Sequence, residues 1–237
     1  MSGTSEPMAA VARGNGLQEA APTKGFVLLG VAIAFGWPLV LWIPGVSGLN
    51  VTNTRDDGVN IVVKWLVVAG LCIIAFRAQR RPPWEFGVRA VRWQDVLAAI
   101  GGVIVGIAFS GVANPTVTMS PSVDELQEIA AVSVNLRVAL VVTAGICEEF
   151  IYRSFAIEEL TFLTGKRWLS AAVAWVFFTV AHVRLYDLSS ALIVPGTLGA
   201  VLTALYLWRR SLASCALMHA TVDAMFILVL PALLKTA

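Results

Sequence analysis

Long uncharged apolar runs leave this chain few folds to choose from. Gly25 to Val46, Val96 to Ala113 and Ser189 to Trp208 contain no Asp, Glu, Lys or Arg. A helix needs about 20 apolar residues to cross roughly 30 Å of hydrocarbon at about 1.5 Å per residue. Composition points the same way: 58% of residues are apolar and 14% charged, against about 45–50% and about 25% in soluble domains. The expected fold is all-α, a polytopic membrane bundle.

Seven spans are predicted: Gly25–Val46, Val59–Phe76, Val96–Ala113, Val138–Leu163, Trp168–Val183, Ser189–Trp208 and Ser211–Leu234. Pro38, Pro44 and Pro195-Gly196 are potential bends, and Gly102-x-x-x-Gly106 reads as a close helix–helix contact. Residues 1–24 read as a disordered cytosolic tail without the apolar core of a signal peptide, and 25–237 as one transmembrane domain. Met119–Leu136 reads as an interfacial helix or an outer lid. With the N-terminus inside, Arg13, Lys24, Arg77, Arg80, Arg81, Arg89, Arg92, Lys166, Arg167, Arg209 and Arg210 fall on the cytosolic side. Arg55, Arg137, Arg184 and Lys235 fall outside, a bias of eleven to four. That asymmetry predicts a cytosolic N-terminus and an external C-terminus, and for a prokaryotic source the expected location is the plasma membrane. Trp65, Trp84, Trp93, Trp168 and Trp208 lie near predicted ends, as interfacial anchors do. A net charge of +2 gives no footprint for nucleic acid. Cys72, Cys147 and Cys215 are scattered within apolar runs, with neither disulfide nor zinc-knuckle spacing, and read as packing residues.

Ionisable side chains are expensive inside a bilayer, so each demands a function or a partner. Glu148 and Glu149 sit in the fourth span about 15 Å from its outer boundary, by helical rise. Glu149 and Arg153 are four residues apart, in the order that favours pairing. Glu148 points about 100° away around the helix and has no such partner, which makes it the reactive candidate. The chain holds two histidines. His182 shares a helix face with Phe178, and His219 shares one with Asp223. Together these groups can activate water and stabilise an oxyanion. From the inner boundary His219 lies about 12 Å deep, Glu148 about 15–20 Å and His182 about 20 Å, so tilted helices or uneven ends are needed to unite them. Glu158-Glu159 lacks an arginine four residues on and reads as interfacial.

Three motifs in order, Glu148-Glu149-Phe-Ile-Tyr-Arg153, Phe178-Thr-Val-Ala-His182 and His219-Ala-Thr-Val-Asp223, resemble those of the CPBP intramembrane proteases, also called Abi or CAAX-protease-like. The run from Ser211 into His219 looks similar as well, so the resemblance covers Val138 to Phe226. It implies hydrolysis of a peptide bond near a bilayer surface, on a peptide or lipidated-protein substrate. Glu148 would activate water with His182 assisting, Glu149 and Arg153 would hold the site together, and His219 with residue 223 would stabilise the oxyanion. Many members carry Asn at the last position. Asp223 cannot donate a hydrogen bond unless protonated, and would otherwise fix the tautomer of His219. Ser154, where Gly is frequent, is a smaller departure.

The residues leave the metal open. Glu148, His182 and His219 could form a His₂Glu zinc site with Glu149 as base. The resemblance favours water activated by glutamate with no cofactor, and HExxH is absent. Two other roles compete with the protease: an inactive binding or immunity protein of the same family, and a proton- or cation-handling protein. The second would predict internal repeats, and none is visible. The sequence names neither the substrate nor the oligomeric state.

Overall fold

Capping residues and glycines cut the chain into helices close to where the apolar runs end. The computed structural model describes residues 23–40, 54–113, 123–183 and 188–234. The expected tail up to Pro22, the bend at Pro44 and most of the segment before Val123 lie outside them. Among the described residues there are eight helices and no strand. They are α1 (Lys24–Val40), α2 (Thr54–Cys72, prolonged by a π turn at Ile73–Ala78), α3 (Trp93–Ala113) and α4 (Val123–Ala131). A single long helix, α5, follows over residues 134–164. Then come α6 (Arg167–His182), α7 (Leu188–Arg209) and α8 over residues 212–234. Ser133 and Ser211 cap α5 and α8, their hydroxyls accepting from the N–H groups of Leu136 and Ser214, as N-cap serines do. Gly165 ends α5 at a φ of 67°, a left-handed cap that suits glycine.

Among the described residues four helical stretches are long and apolar enough to cross a membrane: Gly58–Ala78, Trp93–Ser110, Ala191–Arg209 and Leu212–Leu233. Where described, the other three expected spans also fold as helix, but the described part of α1 has 17 residues and α6 has 16, and α5 carries too much charge. Length and composition therefore support four of the seven. Pro38 and Pro195 are accommodated inside α1 and α7.

The glycine pair of α3 packs as its spacing predicts. A Cβ on Gly102 would lie 2.6 Å from Met218 Sδ of α8, and one on Gly106 would lie 2.8 Å from Leu198 Cδ2 of α7. Gly101, next door, has open space around it. Gly102→Leu is therefore expected to cost about 1–3 kcal/mol through overpacking, and Gly101→Leu close to nothing. Thermal unfolding of the two purified variants checks the difference.

Three basic connections converge on one end of the bundle. Asp95, fully buried, accepts two bonds from Arg89 at 2.8 Å, one from Arg209 at 2.9 Å and one from the Ser214 hydroxyl at 3.2 Å. Glu158 accepts from Arg167, Arg210 and Tyr206 at 2.7–3.0 Å. Glu159 accepts from Arg81 at 2.6 Å and Gln79 at 3.0 Å. Glu158 and Glu159, expected to be interfacial, lie at this basic end buried in an internal network. Their partners come from distant connections that local spacing does not reveal. Trp84, Trp93, Trp168 and Trp208 ring this end, 68–71% exposed, as interfacial anchors would be. Trp65 differs: it sits within α2 and donates to Thr143 Oγ1 at 3.1 Å. Arg137, expected in an outer segment, is buried in α5 and donates to the Ile227 carbonyl of α8 at 3.0 Å.

Candidate active site

The glutamates occupy an unusual stretch of helix. α5 begins as an α-helix (Val134–Thr143), widens into π-helical turns at Ala144–Glu148 and Phe150–Ala156, and returns to α-helix at Ile157–Thr164. The two carboxylates fall at the junction of the wide turns. A π turn adds a residue per turn and re-aims the side chains after it, and such turns recur at functional sites.

Glu149 is the structural centre. Its Oε1 accepts from Arg153 Nη1 at 2.9 Å and from His219 Nδ1 at 2.7 Å. The Arg153 Nη2 donates to the Gly199 carbonyl of α7 at 3.1 Å. Its guanidinium lies 3.9 Å from the centre of the Phe178 ring, a cation–π distance. Glu149, Arg153 and Phe178 are all buried. A Cβ at Gly199 would lie 2.8 Å from Phe178 and 3.2 Å from the guanidinium, so this close approach requires glycine. Phe178 also meets Tyr152 edge-on at 5.3 Å and sits 4.5 Å from the His182 ring and 6.3 Å from the His219 ring, centre to centre. It packs α5, α6 and α8 together.

Glu148 faces a different set of groups. Its Oε1 accepts from Lys64 Nζ of α2 at 2.6 Å, while its Oε2 lies 3.8 Å from His182 Nε2. The expectation that Glu148 has no cationic partner is therefore overturned. Its partner lies 84 residues away, out of reach of any reading based on helical spacing. The one signal available was Lys64 itself, the lone charge within an otherwise apolar run from Val59 to Phe76. His182 Nδ1 is 2.7 Å from the Phe178 carbonyl. A carbonyl only accepts, so Nδ1 carries the proton, and in the neutral ring Nε2 offers a lone pair toward Glu148. Glu148 Oε2 is buried and has no hydrogen-bond partner among the described residues.

His219 is fixed in the same way, because a carboxylate likewise only accepts. Nδ1 donates to Glu149, and Nε2 lies 3.6 Å from Asp223 Oδ2. The tautomer of His219 is thus set by Glu149. Asp223, at this distance, makes no hydrogen bond to the ring. Phe178, His182, His219 and Asp223 line a pocket of about 90 Å³, to which Val194, Leu198, Leu202 and Phe226 add apolar surface.

All six expected residues come together. Glu149, Arg153 and His219 are joined by hydrogen bonds. Glu148 with His182, and His219 with Asp223, lie within 4 Å. Uneven helix ends reconcile their depths: His219 is seven residues into α8, whereas His182 is the last residue of α6. Among the described residues no group of three His, Cys, Asp or Glu side chains is arranged to hold a metal ion. An ammonium already occupies one oxygen of Glu148, which suits a His₂Glu zinc site poorly. The three cysteines are free, and two of them are buried.

Comparison with curated proteins and with solved structures finds no match. The family model described as type II CAAX prenyl endopeptidase Rce1-like matches residues 131–225. This stretch contains α5, α6, α7 and most of α8, and all three motifs. The matched stretch, which holds every motif residue from Glu148 to Asp223, is thus similar to the Rce1-like domain of the CPBP family.

Proposed function

We propose that this chain is an intramembrane endopeptidase that hydrolyses a peptide bond with water activated by Glu148. The observation that carries the reading is the pair Glu148 Oε2 and His182 Nε2. Two acceptors face each other 3.8 Å apart, beside a pocket that also holds His219. A water between them donates to both and is thereby aimed and polarised. Glu148 takes its proton as the oxygen attacks the scissile carbonyl, and passes it to the departing amine. His219, as imidazolium, donates Nδ1–H to Glu149 and turns Nε2–H toward the developing oxyanion. Glu149 and Arg153 hold that ring without touching the substrate. The apolar walls from α7 suit a substrate segment with apolar side chains, on a lipidated or hydrophobic-tailed peptide. We further place the chain across the plasma membrane in seven spans, with the basic end cytosolic. α1, α5 and α6 complete the count, α5 with its charges turned inward. No metal takes part in this scheme.

The test is cleavage of lipidated or hydrophobic-tailed reporter peptides by the purified protein, with and without a chelator. Cleavage that the chelator leaves unchanged is the expected result. Loss with chelator, restored by zinc, moves Glu148, His182 and His219 into ligand roles. No cleavage of any peptide overturns the protease reading.

A further inference from the structure

We infer that Lys64 is a positioning residue for Glu148, contributed by a helix outside the family-matched stretch. The inference rests on the protease reading and adds a part that the three motifs lack.

A lysine inside a bilayer-spanning helix is costly, by up to about 2.5–3.5 kcal/mol at the centre on insertion scales, so its presence needs a reason. Lys64 lies six residues into the span Gly58–Ala78, about 9 Å from its outer end, yet its head turns to the protein interior instead of to that nearer surface. The side chain is 15% exposed and ends on Glu148 Oε1 at 2.6 Å. The adjacent residue fixes the register. Trp65 Nε1 donates to Thr143 Oγ1, one wide turn before the glutamate on α5. Two neighbouring residues of α2 therefore grip α5 at two levels, which restricts α2 from sliding away from the carboxylate.

The consequence is that the two oxygens of Glu148 are no longer equivalent. Oε1 is held by the ammonium, and Oε2 is left facing His182 without a hydrogen-bond partner among the described residues. A glutamate has three rotatable bonds, and ordering them costs entropy unless another group does so beforehand. A charge-assisted bond to one oxygen selects the rotamer in which the other can take a proton from water. Lys64 touches neither water nor substrate in this scheme; it acts through Glu148. The N-terminal half of the chain is then part of the active site and not only a membrane anchor.

The experiment compares wild type, Lys64→Met, Lys64→Arg and Glu148→Ala on one reporter peptide, after thermal unfolding shows which variants are folded. Lys64→Met is expected to lower kcat about 10- to 100-fold, as misplacement of a catalytic group does, with KM changed less than about twofold. Lys64→Arg, which keeps the charge and a donor, is expected to recover most of the loss. A lysine that only stabilises the fold would change the amount of folded enzyme and leave kcat per folded molecule as in wild type. Equal kcat in folded Lys64→Met and wild type overturns the inference and leaves the protease reading intact. If Lys64→Met does not fold, Lys64→Gln takes its place, with kcat equal to wild type again the overturning result. Wild type that cleaves nothing takes down both the protease reading and this role. Cleavage by folded Glu148→Ala at the wild-type rate would leave a protease whose water is activated elsewhere, and would overturn this role of Lys64.

Discussion

Glu148→Gln is expected to lose cleavage by about 10³-fold or more in kcat, near the upper part of what a positioned general base contributes. The variant is nearly isosteric, so the helix and the pocket keep their shape. What changes is the group that faces His182. A carboxylate oxygen there accepts the proton of an attacking water, whereas neither the oxygen nor the nitrogen of an amide can hold one at neutral pH. The amide also gives up the charge that pairs with Lys64, so the lysine is left with a weaker acceptor and some stability is lost as well. Steady-state cleavage of a hydrophobic-tailed reporter, normalised to folded protein, separates the two effects. A folded Glu148→Gln enzyme with wild-type kcat would show that the water is activated elsewhere.

Much of this arrangement was legible before the helices were placed. Apolar run length and the three ordered motifs pointed to a membrane bundle with Glu148, Glu149, Arg153, His182, His219 and Asp223 in one place. Spacing also foresaw the Glu149–Arg153 pair and the tight α3 contact at Gly102, because both depend on neighbours three or four residues apart on one helix. What escaped were contacts between distant segments. Lys64 reaches Glu148 across helices, and Arg81, Arg167 and Arg210 reach Glu158 and Glu159 from separate connections. Helical periodicity carries no information about which face meets which neighbour. The wide turns around Glu148 were equally hidden, since α and π turns differ by one residue and share the same apolar composition. Of the two roles that the sequence leaves open for Asp223, fixing the tautomer of His219 falls instead to Glu149 on a different helix, which lies on the ring nitrogen.

Arg153→Ala is expected to be the most destabilising single change in the site, by about 3–5 kcal/mol, the usual cost of leaving one member of a buried ion pair alone. Three contacts go at once: the bond to Glu149, the bond to the Gly199 carbonyl and the stacking on Phe178. Each belongs to a different helix, so the loss loosens α5 from α6 and α7 together. Lysine restores the charge but neither the forked donors nor the flat face, and Arg153→Lys is expected to recover only part of the stability. Removing the charge of Glu149 as well tests the cause. In the double variant Arg153→Met with Glu149→Gln no unpaired charge of this pair remains buried, and it is expected to unfold at a higher temperature than Arg153→Ala. Activity should not return with stability, because the His219 ring is then no longer held by a carboxylate. Thermal unfolding in one detergent reads the first effect and reporter cleavage the second. At about 2–4 °C per kcal/mol for a chain of this size, Arg153→Ala should melt roughly 10 °C below wild type. A fall of less than about 2 °C, by the same conversion, would mean that Glu149 does not depend on Arg153 for its place in the core.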